Sequence, residues 1–258
     1  MMKKLCIHLR DGLANQLFKI ASGYGIAKRS KRQLVFDEKY MDKTHCKEHD
    51  DLIRKIILEH FSLESMPANT PYFSLGAFAY VNDLNCYPQD CLVLNGGFAN
   101  EANFIEYKND ILSIFSRLCP GEIINETIGF HFRLGDFLHW QKGTWIISQQ
   151  YIHDSVGEML DKGAARKIDV FTENPDIALR NIVEALNISP RIENVDINFP
   201  VKNDLDTFLE MTKYHYFIAS RSTFSWWSSF LHQKMEPDQY VCFPNKTPFY
   251  KGKRSQWS

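Results

Sequence analysis

Residues 5–36 read LCIHLRDGLANQLFKIASGYGIAKRSKRQLVF, and they set the architecture. Leu5–Leu9 is a short apolar run of the kind that makes a buried strand. Asp11-Gly12-Leu13-Ala14 turns the chain. From Asn15 to about Arg32, the residues Leu17, Ile20, Ala21, Tyr24 and Ala27 recur at helical spacing and fall on one face. Lys28, Arg29, Lys31 and Arg32 close that segment, where cations complement the helix dipole. Gln33–Phe36 predicts a second strand. Strand, helix and strand in succession make a β-α-β unit, from which doubly wound parallel sheets are built.

Beyond this unit the pattern first fades and then returns. Residues 40–90 are weakly patterned, with one helix predicted over His49–His60. Cys91–Leu94 predicts a buried strand, turned by Asn95-Gly96-Gly97. Glu101–Leu118 predicts a helix that Pro120-Gly121 stops. After it, strands are predicted over Thr127–Arg133, Ile168–Phe171, Tyr216–Ala219 and Tyr240–Phe243. Helices alternate with them over Ser148–Leu160, Pro175–Leu186, Asp204–Lys213 and Ser222–Leu231. The expected class is α/β, with an N-terminal α/β domain over residues 1–120 and a second, Rossmann-like domain over 121–258.

Composition narrows the function. The 258 residues are 44% hydrophobic and 14% aromatic, and 30 basic residues face 31 acidic ones for a net charge of −1. That balance excludes the strong positive field of a nucleic-acid binder. Lys3 and Lys4 precede a short apolar run, but Arg10 and Asp11 end it too early for a signal peptide. No stretch approaches the roughly 18 apolar residues of a membrane span. A cytoplasmic protein is expected, with peripheral work at a membrane surface left open. The six cysteines form no C-x-x-C pair, so buried free thiols are expected. His45, Cys46 and His49 cluster, but their spacing matches no zinc template.

Ligands of open α/β sheets sit at the carboxyl ends of strands, and four such ends carry chemistry. In His131-Phe132-Arg133-Leu134-Gly135-Asp136, the alternation puts His131 and Arg133 on one face. Arg133 offers a planar fork that matches a diphosphate. Gly135 permits a sharp turn, and Asp136 could fix Arg133 or cap the loop. In Ser222-Thr223-Phe224-Ser225-Trp226-Trp227, three hydroxyls open a helix, where free N–H groups make an anion site. The alternative is an N-cap followed by two core tryptophans. In Phe171-Thr172-Glu173-Asn174-Pro175, the Glu173 carboxylate could accept guanine N–H groups or a sugar hydroxyl. The alternative is a Thr172 cap with Glu173 in the first turn. In Asp11-Gly12-Leu13-Ala14-Asn15-Gln16, Gly12 permits close backbone approach. No P-loop, G-x-G-x-x-G, H-E-x-x-H or G-x-S-x-G occurs, and no Asp-x-Asp pair follows a strand. Phosphate neutralisation would fall to Arg133, helix N-termini and hydroxyls.

Taken in order, these segments resemble the bacterial α-1,2-fucosyltransferases of glycosyltransferase family 11, and more distantly the protein O-fucosyltransferases. The likeness runs through Asp11–Ala21, Glu101 with Phe104, His131–Phe137, Phe171–Asn174 and Leu209–Trp227, in the family's order and spacing. The Ser222–Trp227 segment is its most specific member. Leu134 stands where a second arginine is usual, Asp11 and Ala14 replace glycines, Glu173-Asn174 replaces an acidic pair, and Arg221 replaces an asparagine.

The resemblance implies two Rossmann-like domains facing a cleft, the GT-B arrangement, with GDP-fucose held mainly by the second domain and the acceptor by the first. It implies an inverting, metal-independent transfer of L-fucose to a hydroxyl of a glycan acceptor. Arg133 would stabilise the departing diphosphate, and Asn15 would approach the sugar–phosphate region. Gly12, Gln16, His131, Asp136, Thr172, Glu173, Ser222, Thr223, Phe224 and Ser225 would line the donor site. Asp11 is the candidate general base, against the alternative of a turn residue that caps the first helix. Competing outcomes are the same scaffold with GDP-mannose or a UDP-sugar, and a nucleotide-sugar-binding protein without catalysis.

Overall fold

The computed structural model of the protein describes residues 2–41, 47–139, 143–188, 192, 194–200 and 202–244. The opening unit forms where its periodicity predicts: β1 (Lys4–Ile7), α1 (Leu13–Arg29) and β2 (Gln33–Asp37). Leu17, Ile20 and Ala21 of α1 are wholly buried, as are Cys6 and Val35 of the strands beneath. Then follow α2 (Lys47–His60), β3 (Ser62–Glu64), β4 (Tyr72–Ser74) and β5 (Cys91–Asn95). All five strands are parallel, in the order β3-β2-β1-β5-β4. The three-residue β3 and β4 are too short to show a period, so the sequence announces neither.

The weakly patterned stretch before β5 is held by side chains rather than by its own ladder. The Arg32 guanidinium donates to the carbonyls of Lys4, Tyr87 and Gln89. Arg29 donates to those of Val81, Asn82 and Asn103. Ser30 Oγ accepts from Leu84 N–H, and Asn103 bonds both Val81 and Ala79. The basic end of α1 therefore does more than complement a dipole: it supplies the donors that irregular backbone needs when it packs against protein.

The helix expected over Glu101–Leu118 is broken. Short 3-10 turns occupy Glu101–Asn103, Ile105–Tyr107 and Ser116–Leu118, and only α3 (Lys108–Ile114) is α-helical. Asn100 caps the first turn through Ala102 N–H. The backbone of Asn103 lies directly on α1, so close that a Cβ added to Gly25 would meet its carbonyl oxygen at 1.9 Å. This tertiary contact overrides the local helical preference.

The chain divides into two compact units between Ser116 and Arg117, just ahead of Pro120-Gly121. The second contains β6 (Ile124–His131), α4 (Gln149–Asp161), β7 (Lys167–Phe171), α5 (Pro175–Leu186) and β8 (Asp196–Asn198). It continues with α6 (Asp204–Met211), β9 (Tyr214–Ile218), α7 (Thr223–His232) and β10 (Tyr240–Cys242). Its parallel sheet runs β10-β9-β6-β7-β8. β8 is again a three-residue strand without a sequence period. Phe130, Ile168, Val170 and Ile218 fill the core of this sheet, and α4 adds Ile152 and Val156. Both halves thus have the expected Rossmann-like α/β class.

The described cysteines are free: Cys6 and Cys242 are buried, Cys91 and Cys119 are half-buried, and Cys86 is exposed, against the expectation of burial. His45 and Cys46 lie outside the described residues. Among the described residues no helix is long and apolar enough to cross a membrane.

Candidate functional site

The second sheet winds outward in two directions. From β6 the chain passes through α4 to β7, and from β9 through α7 to β10. The neighbouring carboxyl ends of β6 and β9 are therefore a topological switch point, where open α/β sheets leave a crevice for ligands. His131, Arg133, Glu173 and the Ser222–Ser225 run all lie at or beyond the carboxyl ends of β6, β7 or β9.

His131 is the last residue of β6 and is buried. Its Nδ1 lies 2.6 Å from Ser225 Oγ, which accepts from Ser220 N–H at 3.2 Å. The Ser225 hydroxyl thus joins the His131 ring to the Ser220 backbone in one buried hydrogen-bonded group. The ring packs against Phe224, 5.7 Å between centroids, and Phe224 against Phe208 at 4.8 Å. Burial first, and the nearby Arg133 cation second, push the His131 pKa down to about 3. The imidazole is therefore neutral at ordinary pH. It acts as a rigid pin between the end of β6 and the first turn of α7.

Arg133 lies just past β6, half-buried. One terminal nitrogen donates to Glu173 Oε1, and the other to Asp136 Oδ1 at 2.9 Å. Glu173 Oε2 accepts from Leu134 N–H at 3.0 Å. Glu173 is thus turned to Arg133 and its loop. Gly135 adopts φ +27° between these groups, and a Cβ there would come within 3.1 Å of Glu173 Oε1. Glycine is what lets the loop close over the ion-paired fork. Leu134, where a second arginine would stand in related sequences, is fully buried.

Asn174, not Thr172, caps α5: its Oδ1 accepts from Ile177 N–H at 3.1 Å, and Pro175 takes the first helical position. Thr172 Oγ1 accepts from Asn174 N–H at 3.3 Å instead. Ser222 is the N-cap of α7 and accepts from Phe224 N–H at 3.2 Å. Thr223 opens the helix, Ser225 is fully buried, and Trp226 and Trp227 are core. The hydroxyl run therefore divides: Ser222 caps, Ser225 holds His131, and half-buried Thr223 stands at the helix entrance. Arg221, which the sequence marks only as a departure from the related pattern, adds a second guanidinium at this end. It donates to the Thr144 carbonyl at 2.9 Å. Its place immediately before Ser222 was the available signal.

The remaining candidates belong to the first unit. Asp11 has φ 76° and an exposed carboxylate, whose Oδ2 lies 2.7 Å from the Nζ of buried Lys19. It does not cap α1. The cap is Gly12, with no side-chain hydrogen bond, and among the described residues nothing lies within 4 Å of where a Cβ would stand. Buried Gln16 donates to the Asp11 carbonyl at 3.1 Å, and Asn15 is half-buried in the first turn. His8, just beyond β1, is a further polar group at a strand end. It is buried, packs on Tyr72 at 5.6 Å, and has a pKa held below the ordinary histidine value, chiefly by burial. A single histidine after an apolar strand gives no sequence signal that separates it from core.

An Asp-x-Asp pair, Asp204 and Asp206, opens α6. There both carboxylates complement the helix N-terminus, and Asp206 N–H donates to the Asn203 cap at 2.8 Å.

The family model of glycosyl transferase family 11 matches residues 104–256. No curated protein sequence matches the chain. Among solved structures, the chain is similar to the α-1,6-fucosyltransferase NodZ of Bradyrhizobium soaked with GDP-fucose. The identity is 12%, over 90% of this chain and 93% of that one, with a TM-score of 0.43. It is also similar to a variant of Arabidopsis thaliana FUT1 in complex with GDP, at 11% identity over 96% and 72%, with a TM-score of 0.46. A third similar structure is the E. coli heptosyltransferase WaaC with ADP, at 9% identity over 95% and 89%, with a TM-score of 0.41.

Proposed function

Because the chain belongs to glycosyl transferase family 11, we propose that it transfers L-fucose from GDP-fucose to a hydroxyl of a glycan acceptor, forming an α-1,2 linkage with inversion. The observation that carries this reading is the guanidinium of Arg133 just past β6, a strand end that His131 ties to Ser225 in the first turn of α7.

When the glycosidic bond breaks, negative charge develops on the β-phosphate of the departing GDP. Arg133 and the first turn of α7, with Ser222 and Thr223, stabilise that charge more in the transition state than in the ground state. Glu173 and Asp136 hold the fork in place before the donor arrives, and the diphosphate draws it from them. His131 fixes the end of β6 to Ser225, so cation and helix start keep their spacing. Phe224 supplies an apolar wall. Asp11 accepts the acceptor proton, and by family likeness Gly12, Asn15 and Gln16, at the start of α1, serve the sugar. No metal enters this scheme, and the reaction is placed in the cytoplasm.

Isothermal titration with GDP, GDP-fucose, GDP-mannose and UDP, all in EDTA, tests the reading. Binding of GDP and GDP-fucose with EDTA present is expected, and weak or absent binding of UDP. Preference for UDP or GDP-mannose would reassign the donor, and loss of GDP-fucose binding in EDTA would end the metal-independent scheme. Tight GDP binding without turnover on any glycan would reduce the protein to a nucleotide-sugar binder.

A further inference from the structure

We propose that His215, His232 and Glu236 form a binding site for a divalent transition-metal ion, zinc above others, at the end of the second sheet opposite the donor site. Among the described residues, these three offer one ligand atom each, and all three atoms lie within 4.8 Å of one another. His215 is the second residue of β9, whose other end leads to Ser222, so the cluster is separate from the proposed donor pole.

The cluster is built rather than incidental. His232, the last residue of α7, is completely buried. Its Nδ1 lies 2.7 Å from the Thr212 carbonyl. A carbonyl only accepts, so Nδ1 carries the proton and Nε2 presents a lone pair. A metal-bound histidine is usually oriented in this way by a backbone carbonyl on its other nitrogen. Glu236 is set by its own N–H, which donates to the His232 carbonyl at 3.2 Å. On the far side, the His215 ring is fixed edge-on between Tyr216 and Tyr240, at 4.7 and 5.1 Å.

Among the described residues the three ligand atoms make no well-aligned hydrogen bond. His215 Nδ1, His232 Nε2 and Glu236 Oε2 are each buried and unsatisfied. Yet Glu236 Oε2 is only 2.9 Å from His215 Nδ1 and 3.5 Å from His232 Nε2, without the alignment of a hydrogen bond. One carboxylate oxygen shared between two ring nitrogens, with no aligned hydrogen bond, satisfies these atoms poorly, and a poorly satisfied buried polar atom costs stability. A shared cation removes that cost. With zinc–ligand bonds of about 2.0–2.2 Å, adjacent ligands of a tetrahedron stand roughly 3.3 Å apart. The two observed separations bracket that figure, and the third pair lies within 4.8 Å. Two imidazoles and one carboxylate suit zinc over magnesium or calcium, which prefer all-oxygen shells. A fourth position remains for water.

The full chain, stripped with EDTA and dialysed, is titrated calorimetrically with zinc chloride, and separately with cobalt(II) while the visible spectrum is followed. One equivalent of zinc is expected, with the strong visible bands of four-coordinate cobalt and a rise in Tm of a few degrees. Glu236→Gln keeps shape and removes the anionic ligand, and His215→Ala removes a half-buried one. Each is expected to weaken zinc binding at least about tenfold. Failure of the wild-type chain to bind zinc would overturn the proposal. Wild-type affinity in both variants would overturn it equally, because the metal would then sit elsewhere. Donor binding in EDTA is read on separate portions of the same preparation, so failure here is distinguishable from failure of the fucosyl-transfer reading.

Discussion

The two units use the same parallel sheet and stabilise it in opposite ways. In the second, four helices start on side-chain caps, Ser148, Asn174, Asn203 and Ser222. In the first, α1 starts on bare Gly12, and order comes from long-range donors, Arg29 and Arg32 reaching carbonyls more than fifty residues away. Side-chain caps set the helix starts of the second unit, and long-range guanidinium donors hold the irregular stretch of the first. At the candidate sites the contrast reverses: Arg133 reaches forty residues to Glu173, and Asp11 only eight to Lys19. Arg133 is set by neighbours on adjoining strand ends, whereas Asp11 is set by one buried lysine on the following helix.

The largest expected effect separates the two candidate sites. Arg133→Ala is expected to abolish fucosyl transfer, and Arg133→Lys to fail as well, because the ammonium cannot reproduce the fork. Asp11→Asn is expected to lower kcat about 10²–10⁴-fold while donor binding persists. Initial rates together with GDP-fucose titration measure both. A wild-type rate in the Arg133→Lys enzyme would end the fork argument, and near-normal turnover in the Asp11 variant would end its role as base.

Next in size is Arg32→Met. It removes the donor to the carbonyls of Lys4, Tyr87 and Gln89, at an expected cost of about 1–3 kcal/mol. Urea denaturation reads the loss. A change near zero would mean that the loop before β5 does not depend on α1.

The third concerns acid. His131 has its folded pKa depressed to about 3 from 6.5. Its contribution is complete above the unfolded value and is lost as pH falls from about 6.5 toward 3, by up to about 1.4 kcal/mol per pH unit. The His131→Gln variant should flatten that slope while it tolerates the Ser225 contact. Parallel acid slopes for the two proteins would show that the imidazole is not buried neutral.

The smallest effects test the caps against each other. Ser222→Ala should cost about 1 kcal/mol, whereas Gly12→Ser should gain a few tenths by adding the missing cap. If Gly12→Ser gains stability and loses turnover, the bare glycine serves a ligand. If it gains stability at full activity, Gly12 has no part in the site.

Legibility followed the same division. Pro175–Leu186 forms at the residues its sequence predicts, because proline, the asparagine cap and the apolar period agree locally. The Glu101–Leu118 helix failed because α1 presses on Asn103 through the gap that Gly25 leaves. Thr172 looked like the cap of α5, but an asparagine one step before the proline has the better reach to Ile177 N–H. The metal-ligand trio was invisible in sequence, since His215 and His232 meet only when β9 and α7 pack.

The order of residues alone dictated the α/β class, the doubly wound succession of the second half, and which strand ends carry polar chemistry. Periodicity and capping act over a few residues and survive without tertiary context. Packing in three dimensions settled which polar groups meet: Arg133 with Glu173, Asp11 with Lys19, and the His215 ring with Glu236. Those pairings depend on strand order and on which groups are removed from water together, and neither is written in any local stretch of chain.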